Sequence, residues 1–216
     1  MPDPLSNARL IVREQFIETI SHYEHEQRII APMWTEIETH YSGEHRHYHN
    51  LVHLQKMLEH LLAVKDQIHH WHEVVLALCY HDIIYESLQH NNEEESAALA
   101  EKRLSLLAMH HTSVKLIANL ILATKKHELH EDNDVNFFTD ADLSILGADA
   151  ATYDQYAADI RKEYAAVPDV FYVSGRISVL NHFLKMPALF KTAHFTELLE
   201  AQARINLERE RQSLAV

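Results

Sequence analysis

Three glycines and five prolines are all that interrupt 216 residues, and this scarcity of backbone breakers narrows the fold more than any other feature. Tight turns draw heavily on those two residue types, so a chain with so few of them is expected to spend most of its length in helices. The apolar spacing agrees. Phe16, Ile20 and Tyr23 recur at helical intervals, as do Leu51, Leu54, Leu58, Leu61 and Leu62, each set marking a buried stripe. No period-two alternation survives along the chain. The expectation is an all-α fold of about eight to ten helices, forming a single globular domain over 1–216, with a core over about 41–185 and the terminal helices packed on it.

Helical segments are expected within 7–39, with Pro32 near the start of the second one or at a kink, and then over 50–64 and 71–85. Asn91 or Asn92 caps the next helix, with Glu93, Glu94 and Glu95 suiting the positive end of its dipole. Further segments run over 113–127, 149–165, 169–185 and 196–215. Ser42-Gly43-Glu44 reads as a turn, and Pro168 and Pro187 sit at breaks.

Nineteen basic side chains against 32 acidic ones give a formal charge of −13. That balance argues against binding a nucleic-acid polymer or an anionic membrane. A phosphorylated substrate would need a local group of cations. No apolar run approaches the ~18 residues of a membrane span, and Met1-Pro2-Asp3-Pro4 does not open a signal peptide. The one cysteine, Cys79, excludes an internal disulfide and packs as a small hydrophobe. A cytoplasmic setting is expected.

Chemistry concentrates in three places. His81-Asp82 follows the apolar run Val74-Val75-Leu76-Ala77-Leu78, where buried polar groups are costly unless compensated. Upstream lies His45-Arg46-His47-Tyr48-His49-Asn50-Leu51-Val52-His53, and downstream Asp140-Ala141-Asp142. With 19 histidines in the chain a lone one carries no weight: His22 and His25 read as solvated, and His69, His70 and His72 as exposed or capping. The set His53, His81, Asp82 and Asp142, spaced by 28, 1 and 60 residues, is different. Imidazole and carboxylate are ligands for divalent ions, and such spacings bring them from three separate helices, as in other helical metal sites.

The ordered pattern His…His-Asp…Asp in a helical chain resembles the HD-domain superfamily of metal-dependent phosphohydrolases, and within it a predicted phosphohydrolase subfamily of about this length. The residues that carry the likeness are Tyr48-His49-Asn50-Leu51-Val52-His53, His81-Asp82-Ile83-Ile84-Tyr85, Asn92-Glu93-Glu94-Glu95-Ser96-Ala97, Ala123-Thr124-Lys125-Lys126-His127 and Asp140-Ala141-Asp142-Leu143-Ser144-Ile145-Leu146-Gly147. Ile160-Arg161-Lys162-Glu163-Tyr164, Gly175-Arg176 and Val179-Leu180 match as well.

The resemblance implies an HD-type domain holding one divalent ion (Mn, Mg, Fe, Co, Ni or Zn) on His53, His81, Asp82 and Asp142, with Asp142 preferred to Asp140 as last ligand. His49 takes the place of a general acid, and a histidine bonded to a nearby carboxylate is the alternative reading. Asp82 or Glu94 would orient the attacking water. Arg46, Lys125, Lys126 and Arg176 are candidates to meet substrate phosphate, Arg176 most of all because Gly175 precedes it. His127 could bind phosphate, touch a second ion or cap its helix. Asn92 stands where two-metal relatives carry a histidine, which favours a single ion. The substrate implied is a small phosphorylated molecule, a nucleotide first, and a homodimer is allowed for. A nucleotide-sensing module with little turnover is the alternative; oxygenase chemistry at a di-iron centre would need further histidines.

Overall fold

Local signals start several of the helices. Asp3 accepts from the Ser6 amide and Pro4 occupies the first position of α1 (Pro4–Ile20). Asn50 accepts from Val52 at the start of α3 (Leu51–Ala63), Asp132 from Asp134 at α7 (Asn133–Asp142), and Asp149 from Ala151 and Thr152 at α8 (Ala150–Glu163). Each cap satisfies an amide that a helix start otherwise leaves open. The remaining helices are α2 (Gln27–Tyr41), α4 (Trp71–Tyr80), α5 (Asn92–Leu104), α6 (His111–Ala123), α9 (Asp169–Lys185) and α10 (Ala193–Leu214). The computed structural model describes residues 3–215, and among them there are ten α-helices and two short 3₁₀ turns, at Lys65–Gln67 and Leu143–Gly147, with no strand.

Helix α4 is the centre. Every side chain from Glu73 to Tyr80 is buried, and α1, α3, α5, α6 and α7 pack around it. A helix apolar on all sides has to be enclosed in this way. The α4 core is continuous with Phe16, Ile20, Trp34, Tyr41, Leu54, Leu58, Ile117, Phe137 and Phe138. Helix α10 lies across the Leu143–Gly147 turn and α9. Among the described residues, no helix is long and apolar enough to cross a membrane.

Two expectations are corrected. The helix expected over 71–85 stops at Tyr80. Tertiary partners replace its next hydrogen bonds: the Arg46 guanidinium donates to the carbonyls of Asp82 and Ile83, and Ser96 Oγ bonds both the amide and the carbonyl of Ile84. No helix is expected between 127 and 149, yet Asn133–Asp142, with Phe137 and Phe138 buried, form α7.

Candidate metal centre

Three elements converge on one point. His53 sits in the first turn of α3, His81 and Asp82 follow the end of α4, and Asp142 is the last residue of α7. His53, His81 and Asp82 each offer a ligand atom, and these atoms lie within 4.8 Å of one another, a group that could hold a metal ion. His53 Nε2 is 3.1 Å from His81 Nε2, and Asp82 Oδ2 is 3.1 Å from His81 Nε2 and 3.9 Å from His53 Nε2. Asp142 brings Oδ1 to 3.3 Å from His53 Nε2 and 3.7 Å from His81 Nε2.

Hydrogen bonding aims the ligand atoms. His81 Nδ1 is 2.9 Å from the Leu78 carbonyl, so it donates there and turns Nε2 toward the cluster. Burial lowers the pKa of His53, outweighing its hydrogen bond to Asp142. At His81 burial acts in the same sense, but the charge and hydrogen bond of Asp82 outweigh it and raise the imidazole to about 9. Burial would raise both carboxylates; instead His81 holds Asp82, and His127 with His53 holds Asp142, below the usual carboxylate range.

A surrounding layer fixes these groups. Arg46 is buried and donates to the carbonyls of His49 (3.1 Å), Asp82 (2.6 Å) and Ile83 (2.9 Å). It therefore clips the approach to α3 onto the His-Asp segment, with its charge over the rings of Tyr41 and Tyr85. The Asp82 amide donates to the Tyr41 hydroxyl at 3.1 Å. His127, in a left-handed backbone conformation (φ 51°), puts Nε2 2.9 Å from Asp142 Oδ2.

His49 precedes the cap of α3 rather than lying in its first turn; its ring centroid is 5.9 Å from that of His53, and the ring is stacked on Tyr85. Its Nδ1 is 2.7 Å from Glu163 Oε2. Glu163 also accepts from the amides of Tyr48 (2.7 Å) and His49 (2.9 Å) and from the Tyr85 hydroxyl (3.0 Å). Burial opposes ionisation of Glu163, but the His49 contact and these amides bring its pKa down to about 2. A carboxylate so held orients His49 and keeps its Nε2 free. The two readings of His49 are thus compatible at one residue.

Several expected site residues lie elsewhere. Glu94 is half-exposed and its carboxylate takes Lys125 at 2.5 Å, while Lys125 also donates to the His90 carbonyl. Neither has a described bond to the cluster. Arg176 is buried and forms a paired contact with Glu210, at 2.7 and 2.9 Å, tying α9 to α10. Nothing lies within 4 Å of where a Cβ on Gly175 would stand, so no close approach calls for that glycine. Asp140 points away from the cluster; it accepts from the amides of Lys191 and Thr192 and from the Thr192 hydroxyl at 2.8–3.0 Å. Asp142 is the residue aimed at the histidines.

Glu163 is the functional residue that sequence reasoning left without a role, although it lay inside a matching segment. Tyr48 is the other. Its ring centroid is 4.9 Å from those of both His49 and His53 and 4.7 Å from that of Tyr156. Burial raises its hydroxyl pKa well above the ordinary value, helped by Tyr156, Asp142 and Asp82. Tyr48 and His53 together line one wall of a cleft of about 600 Å³ between α3, the Leu143–Gly147 turn and α8. That volume is in the range of small-molecule sites. No family model matches the chain, and no curated protein or solved structure matches it either.

Proposed function

We propose that this protein is a metal-dependent phosphohydrolase that cleaves a phosphoester of a nucleotide or another small phosphorylated metabolite. The observation that carries the reading is the convergence of His53 Nε2, His81 Nε2 and Asp82 Oδ2, 3.1–3.9 Å apart, with Asp142 Oδ1 at 3.3 and 3.7 Å from the two imidazole nitrogens. Ligand atoms about 2.1 Å from one ion stand roughly 3.0–3.4 Å apart at angles of about 90–109°, which the shorter of these contacts already match. The resemblance to the HD-domain superfamily supplies the reaction class.

In this reading the four residues hold one divalent ion among Mn, Mg, Fe, Co, Ni and Zn. Two carboxylates balance its charge and two imidazoles add nitrogen donors. When bound, such an ion supplies Lewis acidity toward a phosphoryl oxygen and makes a water more acidic. The chain's own groups do the rest. Leu78 and Arg46 orient His81 and the Asp82 backbone. His49, protonated at Nε2, delivers that proton to the departing oxygen, while Glu163 keeps its hydrogen bond to Nδ1–H and stabilises the charged ring.

Elemental analysis of the purified protein, followed by phosphate release from a panel of nucleotides with added Mn, Co, Ni or Mg, tests the reading. Asp82→Asn or His53→Ala should remove both metal and activity. His49→Ala should keep the metal yet lose ~10²–10⁴-fold in turnover on esters with poor leaving groups, and much less on a nitrophenyl diester, whose leaving group needs little protonation. Bound metal with no release from any ester would favour a nucleotide-sensing module. Loss of metal in the His49 variant would make that residue a ligand or a structural element.

A further inference from the structure

The cleft beside His53 is larger and more apolar than the metal cluster needs for itself. Its surface is mostly apolar, with Val52, Met57, Ile145, Ala148, Tyr156 and Leu199 among the lining residues, and the two residues that join it to the cluster are Tyr48 and His53. The charged groups on its walls are already answered. Lys56 Nζ is 2.8 Å from Glu59, and Asp159 is bonded by Lys162 at 2.7 Å and by Gln155 at 3.0 Å.

The cations that sequence reading assigned to phosphate are engaged as well. Arg46 serves three backbone carbonyls, Lys125 serves Glu94, and Arg176 serves Glu210. Lys191 Nζ is buried 3.4 Å from Asp140. Two of that set have no described ion pair: Arg46, buried and held by backbone carbonyls, and Lys126, exposed beyond α6. Asp82 and Asp142 would already match the charge of a divalent ion. A triphosphate brings about four negative charges, and buried anions without partners are expensive. A phosphodiester brings one.

We propose that the cleft lined by Tyr48, His53, Val52, Met57, Ile145 and Leu199 receives an uncharged apolar group of the substrate. The substrate class is then a singly charged phosphodiester with one apolar ester group, rather than a nucleoside polyphosphate. This rests on the phosphohydrolase reading above and specifies its substrate. In the step, water forms one P–O bond as the P–O bond to the leaving alcohol breaks. One proton of the water is balanced by the one the alcohol gains, and the phosphomonoester product releases the other at neutral pH. No oxidant or further reactant enters.

The test uses the full chain loaded with Mn and a series of 4-nitrophenyl phosphodiesters whose second ester group is methyl, butyl or phenyl. The leaving group is constant, so differences report the second group. Each methylene buried is worth up to about fourfold, so kcat/KM should rise at least about tenfold from methyl to butyl. Ala151→Trp and Gln155→Trp, both at exposed positions on the cleft rim, should collapse that ratio toward one while circular dichroism remains helical. A ratio near one in the parent protein, or higher kcat/KM on nucleoside triphosphates than on the butyl and phenyl diesters, would overturn the proposal and leave the phosphohydrolase reading standing. Calorimetry with methyl and butyl methylphosphonate monoesters separates the two ideas if no ester is cleaved. Tighter binding of the butyl compound, lost in Ala151→Trp, upholds the cleft and sinks the reaction. Equal binding of both, or none, sinks the cleft.

Discussion

Arg176 meets Glu210 across 34 positions of the chain, and Glu163 meets His49 across 114. His53, His81, Asp82 and Asp142 were found because their pattern along the chain is the signal. Arg46, Arg176 and Lys125 were assigned to substrate, and Glu94 to the attacking water, because nothing local in the sequence points to the partners they meet in the fold. Glu163 yields a prediction at this scale. Its folded pKa, about 2 against 4.5 for the free group, is depressed, so its stabilising effect is present above 4.5 and disappears as the pH falls toward 2. The difference is about 3 kcal/mol at neutral pH. Urea unfolding should therefore show Glu163→Gln well below the parent at pH 7, with the gap closing between pH 4.5 and the lowest pH at which the fold survives. A gap that does not change with pH would mean that the carboxylate is not held ionised by His49 and the amides.

Element by element, periodicity and capping chemistry located the helices well, and α9 coincides with the expected 169–185. The miss at 81–85 has a physical cause. Continuing α4 would use backbone groups that Arg46 and Ser96 take instead, and only the folded chain brings those side chains near. Packing of a short turn is equally invisible in one dimension. Gly147 ends the Leu143–Gly147 turn beneath α10, and a Cβ there would stand 2.5 Å from Leu199 Cβ and 2.8 Å from the Leu199 carbonyl oxygen. The second of these is backbone and cannot rotate away. Asn206 holds α10 down on the same turn by donating to the carbonyls of Leu146 and Ala148. Gly147→Ala should cost about 1–3 kcal/mol, read as a lower midpoint in a urea melt. An unchanged midpoint would show that α10 yields freely.

For the molecule as a whole, the all-α class and the meeting of three distant segments followed from sequence, whereas the cleft did not, because it is the space left between α3, α8 and the 143–147 turn. One feature of the assembly governs how the chain tolerates changes of length. Asp134 accepts from the His69 and His70 amides at 3.0 and 2.7 Å, binding the start of α7 to the start of α4. At the other ends, Asp142 stands beside His81. The two helices thus run in the same direction and are matched at both ends, like two rulers of equal graduation. One residue added inside either helix turns everything after it by about 100° and shifts it ~1.5 Å. An alanine inserted between Leu76 and Ala77 should therefore abolish metal binding while leaving much of the helical signal. An alanine inserted at 88–89, in the loop before α5, should leave metal content near that of the parent. Equal metal retention in both would mean that the register of α4 against α7 is not what sets the site. In drift of this sequence, then, gains and losses of residues are expected to collect in the loops, and the interval from His70 to His81 to keep its length even where its letters change.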